Sequence, residues 1–95
     1  MDLLVQTKNG VQLVNAYKLT NGMAAHKSLI PFDKSWVVVD IESGLVLQYN
    51  VKSLRLCTQY AINNPDKEKI AQLKRGERYS WYMKRLEEEK KKYIV

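Results

Sequence analysis

The chain has 95 residues, 45% of them hydrophobic and 27% charged, which suits one ordinary globular domain and excludes a disordered or fibrous chain. Its single cysteine, Cys57, excludes an intramolecular disulfide and points to a reducing, cytoplasmic setting. Residues 1–6 lack the basic start and apolar run of a secretory signal. No stretch approaches the roughly 20 apolar residues of a membrane span, so the expectation is a soluble protein with no membrane partner.

The net charge of +6 is unevenly placed. Residues 1–50 hold four basic side chains (Lys8, Lys18, Lys27, Lys34) and four acidic ones (Asp2, Asp33, Asp40, Glu42), leaving 16 − 4 = 12 basic and 10 − 4 = 6 acidic for residues 51–95. The excess therefore belongs to the C-terminal half, which points that half toward an anionic partner.

In chain order, residues 3–8 and 11–19 flank Asn9-Gly10, a dipeptide suited to the positive φ of a type I′ hairpin turn. Pairing across it puts Leu3, Val5, Val14 and Ala16 on the face turned to the core, with Leu4, Gln6, Val11 and Leu13 behind. Residues 20–28, with Asn21-Gly22 and mixed composition, read as a loop, and a short edge strand could follow at 29–32. Residues 36–41 and 45–49 flank Glu42-Ser43-Gly44, with Gly44 closing a three-residue loop. Val37, Val39, Ile41, Leu45, Leu47 and Tyr49 then share one face, with Trp36, Val38, Asp40, Val46 and Gln48 opposite; a covering layer is expected over Trp36.

After Asn50 the period turns helical through Val51, Leu54, Cys57, Thr58 and Ala61, with Asn50 or Ser53 as cap. Asn64-Pro65-Asp66 starts a second helix that reaches about Lys74 and ends at Gly76. A last helix from about Glu77 carries an apolar stripe of Tyr79, Tyr82, Met83, Leu86 and Tyr93. Its end offers Glu87 with Lys91 and Glu88 with Lys92 as pairs four apart.

Catalysis has little raw material. His26, the one histidine, falls in the predicted loop and would need Ser28, Asp33 or Cys57 as partner; a surface or turn histidine is the plainer reading. Asp33, Asp40 and Glu42 with His26 match no metal-ligand spacing, and Asp40 and Glu42 suit the turn between the strands. Cys57 reads as a small buried hydrophobe. The four glycines are isolated, so no phosphate loop or dinucleotide fingerprint exists. No catalytic residue, metal or cofactor is therefore assigned, and the chain is read as a non-enzyme.

The strongest signal is the set Lys74, Arg75, Arg78, Trp81, Lys84 and Arg85, which interleaves cations with an indole. Arg78, Trp81 and Arg85, at i, i+3 and i+7, share a helix face distinct from the Tyr79/Tyr82/Leu86 stripe. Arginines neutralise phosphates and tryptophan stacks on bases, so the set is a candidate surface for DNA or RNA. A solvated face, with Trp81 covering part of the core, is its structural alternative.

Residues 35–47, Ser-Trp-Val-Val-Val-Asp-Ile-Glu-Ser-Gly-Leu-Val-Leu, followed by Lys52-Ser53, resemble small uncharacterised proteins of phages and mobile elements that place strand, Ser/Thr-Gly turn, strand and helix in this order. The resemblance covers about residues 26–62 and implies a mobile-element origin. The same order is similar to the arm-type DNA-binding domains of tyrosine integrases. In that family the sheet carries the basic contact residues, whereas this predicted sheet is neutral, so none is carried over.

These readings converge on an α+β single domain over 1–95: a β-rich scaffold at 1–50, in which two antiparallel β-hairpins form a small sheet packed by a helix, then a basic, helical 51–95 ending in a helical hairpin or arm. The expected function is binding to nucleic acid or a nucleoprotein complex through Lys74, Arg75, Arg78, Trp81, Lys84 and Arg85. The alternative is a protein-interaction module, an inhibitor of a host enzyme or defence complex, or a homodimer seamed by Tyr79, Tyr82, Leu86 and Tyr93.

Overall fold

The computed structural model describes residues 1–63 and 68–93, apart from the side chains of 68–70 and 73. The elements are β1 (Asp2–Thr7), β2 (Gly10–Asn15), β3 (Tyr17–Lys18), β4 (Met23–Lys27), β5 (Trp36–Asp40), β6 (Val46–Val51), α1 (Leu54–Asn63), α2 (Glu68–Arg75) and α3 (Tyr79–Lys90). All pairings are antiparallel, in a sheet β1-β2 and a second sheet β3-β4-β5-β6. The protein is α+β, and its two hairpins occupy separate sheets that the chain joins at Ala16, between β2 and β3.

Burial accounts for the layering. Leu3, Val5 and Val14 of the two-stranded sheet, with Ala16 at the junction, meet Ala24, Val37 and Val39 of the four-stranded sheet, with Ile41 and Val46 at the margin. On the far side of the four-stranded sheet Met23, Ala25, Val38 and Leu47 meet Cys57 and Ala61 of α1. The other face of β1-β2 is covered by α3 through the fully buried Leu86. The order is α1, four-stranded sheet, two-stranded sheet, α3, so each sheet has both faces covered.

Several local expectations are corrected. The first turn lies one residue earlier than the Asn9-Gly10 reading, since Thr7 pairs with Gly10 and Lys8-Asn9 forms the loop. Only Gly10 takes positive φ there, at 121°. Pairing moves by two residues relative to the expected register, and a shift of two leaves every side chain on its original face. Leu3, Val5, Val14 and Ala16 therefore still point inward.

The type I′ geometry occurs instead at Asn21-Gly22, with φ of 58° and 73°, where the Met23 N–H donates to the Thr20 carbonyl. It closes a β3-β4 hairpin in what reads from sequence as a loop. Met23–Lys27 is an interior strand, pairing with β3 on one side and β5 on the other. Residues 29–32, expected as a possible edge strand, form a loop. Its Phe32 has φ 67°, a conformation that costs an L residue with a bulky side chain about 1–3 kcal/mol.

The turn between β5 and β6 is longer than the three residues expected. Val39 pairs with Val46, so the loop runs from 41 to 45, and a bulge follows opposite Val38. A slip of one residue reverses the faces of β6: Val46 points between the sheets and Leu47 toward α1. Trp36 is covered in part by the α1-side core, as expected, with Tyr17 edge-on at 5.7 Å.

Ser53 caps α1, its hydroxyl accepting the Leu56 N–H at 3.2 Å, whereas Asn50 takes φ 58° at the end of β6. Thr58, expected on the apolar side of α1, is exposed, and its hydroxyl donates to the Leu54 carbonyl. The Asn64-Pro65-Asp66 helix start lies outside the described residues. The helix break stands at Gly76. At the end of α3 the ion pairs are three apart, Glu87 with Lys90 and Glu89 with Lys92, in place of the four-apart pairs expected.

Candidate nucleic-acid interface

The site is built on the junction where β1, the 41–45 loop and α3 meet. Gly44 brings the loop onto β1: at φ 71°, a Cβ there would stand 2.6 Å from the Leu4 carbonyl oxygen and 2.9 Å from Val5 Cα. This close approach lets the Gln6 N–H donate to the Gly44 carbonyl at 2.9 Å. Buried Asp40 holds the loop from within, accepting from the Ser43 hydroxyl at 2.8 Å and the Ser43 N–H at 3.2 Å.

Gln6, 7% exposed, connects this loop to α3. Its Nε2 donates to the Ser43 carbonyl at 3.2 Å and the Tyr82 carbonyl at 2.9 Å, and its Oε1 accepts from Arg85 Nε at 2.8 Å. The other arm of the Arg85 fork donates to the Thr7 carbonyl at 2.8 Å. A charge-assisted fork on two fixed acceptors sets the rotation of α3 as well as its position. The guanidinium also lies 4.7 Å from the Trp81 ring centroid and 5.4 Å from that of Tyr82, and the two rings meet edge to face at 5.0 Å.

Of the predicted contact set, Arg85 is thus turned inward as the clamp of α3. Lys74 pairs with Glu42 at 3.3 Å, both exposed, and the hydrogen bond to Glu42 raises the Lys74 pKa above its ordinary value. Arg75, Arg78 and Lys84 are exposed. Trp81 is 55% exposed, so it does not serve as core cover. Trp81 stands on α3 between Arg78 and Lys84, with Arg85 against it. The result is a cationic shelf with a fixed indole. Gln6 and Thr7 were missed by sequence reasoning; Gln6 alone gave a sign, as a polar residue within an apolar strand.

The aromatic stripe has a structural use. Leu86 is buried, Tyr79 and Tyr82 are half-buried, and burial raises the Tyr79 hydroxyl pKa, with Glu42 adding to it. These side chains lie on the helix that covers β1-β2, so the face is largely occupied within the chain. Tyr93 is exposed and, with Leu4, Leu13 and Leu86, lines a groove of about 380 Å³ beside α3.

His26 lies in β4, buried, and not in a loop. Its Nδ1 is 2.8 Å from the Lys27 carbonyl oxygen, so this nitrogen carries the proton and donates. Cys57 sits across the four-stranded sheet in the α1-side core, out of reach of His26, and burial raises its thiol pKa. Ser28 and Asp33 share a groove with His26 but are engaged locally: the Ser28 hydroxyl accepts the Ile30 N–H, and Asp33 accepts the Ser35 N–H at 2.9 Å. That N–H is the leading cause that holds the Asp33 carboxyl below its usual value. Among the described residues no three His, Cys, Asp or Glu side chains gather as a metal site, and no helix is long and apolar enough to cross a membrane.

Comparison with known proteins finds no family model, no curated protein and no solved structure that matches this chain.

Proposed function

We propose that this is a small non-enzymatic binding protein that takes nucleic acid, alone or within a nucleoprotein complex, on the shelf formed by α2 and α3. The observation that carries the reading is Trp81, a half-exposed indole held against Arg85 and flanked by exposed cations. A free indole loses rotamer freedom when a base stacks on it; one already fixed has little left to lose. Arg75, Arg78 and Lys84 supply the phosphate contacts, Trp81 the stacking surface, and Arg85 the positioning. A chain of phage or mobile-element origin would use such a module on its own nucleic acid.

The test is fluorescence anisotropy with labelled single-stranded and duplex oligonucleotides over a salt series. Binding should weaken linearly in log–log form as salt rises. Arg78→Gln should weaken both substrates alike, while Trp81→Ala should cost about 1–3 kcal/mol on the single strand and less on the duplex. No binding to either oligonucleotide at low salt would defeat the proposal.

A further inference from the structure

A second surface, remote in sequence from the cationic shelf, carries an inference independent of nucleic-acid binding. The loop between β4 and β5 presents Leu29 at 45%, Ile30 at 67% and Phe32 at 103% exposure. Phe32 combines full exposure with φ 67°, so its side chain gains nothing from this chain in return for an unfavourable backbone. The loop is nevertheless tied into one shape. The Ser28 N–H donates to the Ser35 carbonyl at 2.9 Å, the Ile30 N–H to the Ser28 hydroxyl at 3.2 Å, the Asp33 N–H to the Ile30 carbonyl at 3.1 Å, and the Ser35 N–H to Asp33 at 2.9 Å. Pro31 has no N–H to satisfy. A loop that already bonds these backbone donors internally can leave water at little polar cost.

Beside this knob is a hole. A groove of about 500 Å³ opens where the β1-β2 tip, the loop and β6 come together, with Val5, Val37 and Val46 in its wall and Gln12, Ile30 and Tyr49 among the residues that line it. It is roomy enough for an aromatic ring. A knob and a hole side by side on one surface are self-complementary: a two-fold axis next to the loop puts each copy's Phe32 into the other copy's groove. The charges suit the same operation, because Asp33 and Lys34 are adjacent, so a two-fold axis at the loop would set each against its opposite on the other copy.

We propose that the occupant of this groove is a second copy of the chain, with Phe32 exchanged between copies in a symmetric dimer. The expected seam between copies thereby moves from the tyrosine stripe, which α3 uses to cover β1-β2, to the 28–35 loop.

Sedimentation velocity over a concentration series tests this. The wild-type chain should dimerise, and Phe32→Ser should weaken dimerisation by about tenfold or more, as for an anchor lost from an interface centre. Its circular dichroism should be unchanged, because Phe32 touches solvent alone. Gln12→Trp, at an exposed groove position, should block the hole and also give monomers. Mixing the two variants should recover a heterodimer, since Phe32 of the groove-blocked chain still fits the open groove of the other. A wild-type monomer at every concentration, or a dimer indifferent to both substitutions, would overturn the proposal. Binding of a monomeric wild type to anionic vesicles, lost in Phe32→Ser, would also overturn it and assign the loop to a lipid surface.

Discussion

The two helices that close the sandwich are held by different physics. α1 lies on the four-stranded sheet through Cys57 and Ala61, both fully buried among Met23, Ala25, Val38 and Leu47. α3 lies on the two-stranded sheet through one fully buried side chain, Leu86, and a polar clamp of Arg85, Gln6, Thr7 and Ser43. Apolar contact is non-directional and scales with area, so it gives stability but tolerates sliding. Hydrogen bonds to a charged fork give less net energy and fix orientation. Packing thus holds α1, while directional bonds hold α3 and, through Arg85, its outward-facing Trp81.

The largest effect is expected where the loop supporting the clamp touches β1. Gly44→Ala combines a positive-φ penalty with a Cβ driven to 2.6 Å from the Leu4 carbonyl oxygen, and strain plus overpacking together should cost about 4 kcal/mol. Gly10→Ala is the control: φ is 121° there but nothing lies within 4 Å, so only the backbone cost applies. Denaturant unfolding of both variants measures the difference. Equal losses would show that the close approach of the 41–45 loop does not support the α3 side.

Next come the two apolar anchors. Leu47→Ala on the α1 side and Leu86→Ala on the α3 side should each cost about 2–5 kcal/mol, but hydrogen exchange should separate them. Leu47→Ala is expected to speed exchange throughout both sheets, whereas Leu86→Ala should speed it first in α3 through local opening. Uniform acceleration in both variants would mean that the two sides form one cooperative unit.

The clamp itself should be worth less. Gln6→Ala leaves the Arg85 fork and the Tyr82 and Ser43 carbonyls short of a partner, at about 1–3 kcal/mol. Arg85→Lys should not restore the wild type, because an ammonium cannot span the Gln6 and Thr7 oxygens as a planar fork does. Thermal unfolding gives the stabilities, and the near-ultraviolet dichroism of Trp81 reports its orientation. If Arg85→Lys keeps that signal, the fork is not what fixes the indole.

This contrast also explains what was legible in the chain beforehand. The apolar side of each hairpin and the stripe of α3 are periodic, and periodic patterns survive small errors: the first hairpin pairs two residues away from the expected register, yet Leu3, Val5 and Val14 keep their face. β6 had no such protection, since its register slips by one residue, which exchanges the faces, and Val46 and Leu47 are equally apolar. Strand β4 was hidden because Ala24 and Ala25 carry no β-branched signal; their small side chains instead let the layers approach. The partners of Arg85 were out of sight for a different reason. Gln6 and Thr7 lie 79 and 78 residues away, and nothing local marks an arginine that will fold inward rather than face an anion.

The smallest structural effect is expected from Lys74 and Glu42, and it bears most directly on the shelf. The pair bridges α2 to the 41–45 loop with side chains 46% and 63% exposed, so water and salt screen it. The Lys74 pKa is raised in the folded chain, with its hydrogen bond to Glu42 the leading cause. Its contribution is therefore fully present below the ordinary value of 10.5 and fades only as pH rises through the folded value. At neutral pH, Glu42→Gln should leave the thermal midpoint nearly unchanged. The same substitution releases Lys74 beside Arg75 and, on the proposed reading, removes a carboxylate that would compete with phosphate. Oligonucleotide affinity should accordingly rise at low salt, with the salt slope steeper by about one phosphate contact. A fall in stability with no gain in affinity would mean that Lys74 ties α2 to the loop and belongs to the scaffold, leaving Arg75, Arg78, Trp81 and Lys84 as the shelf.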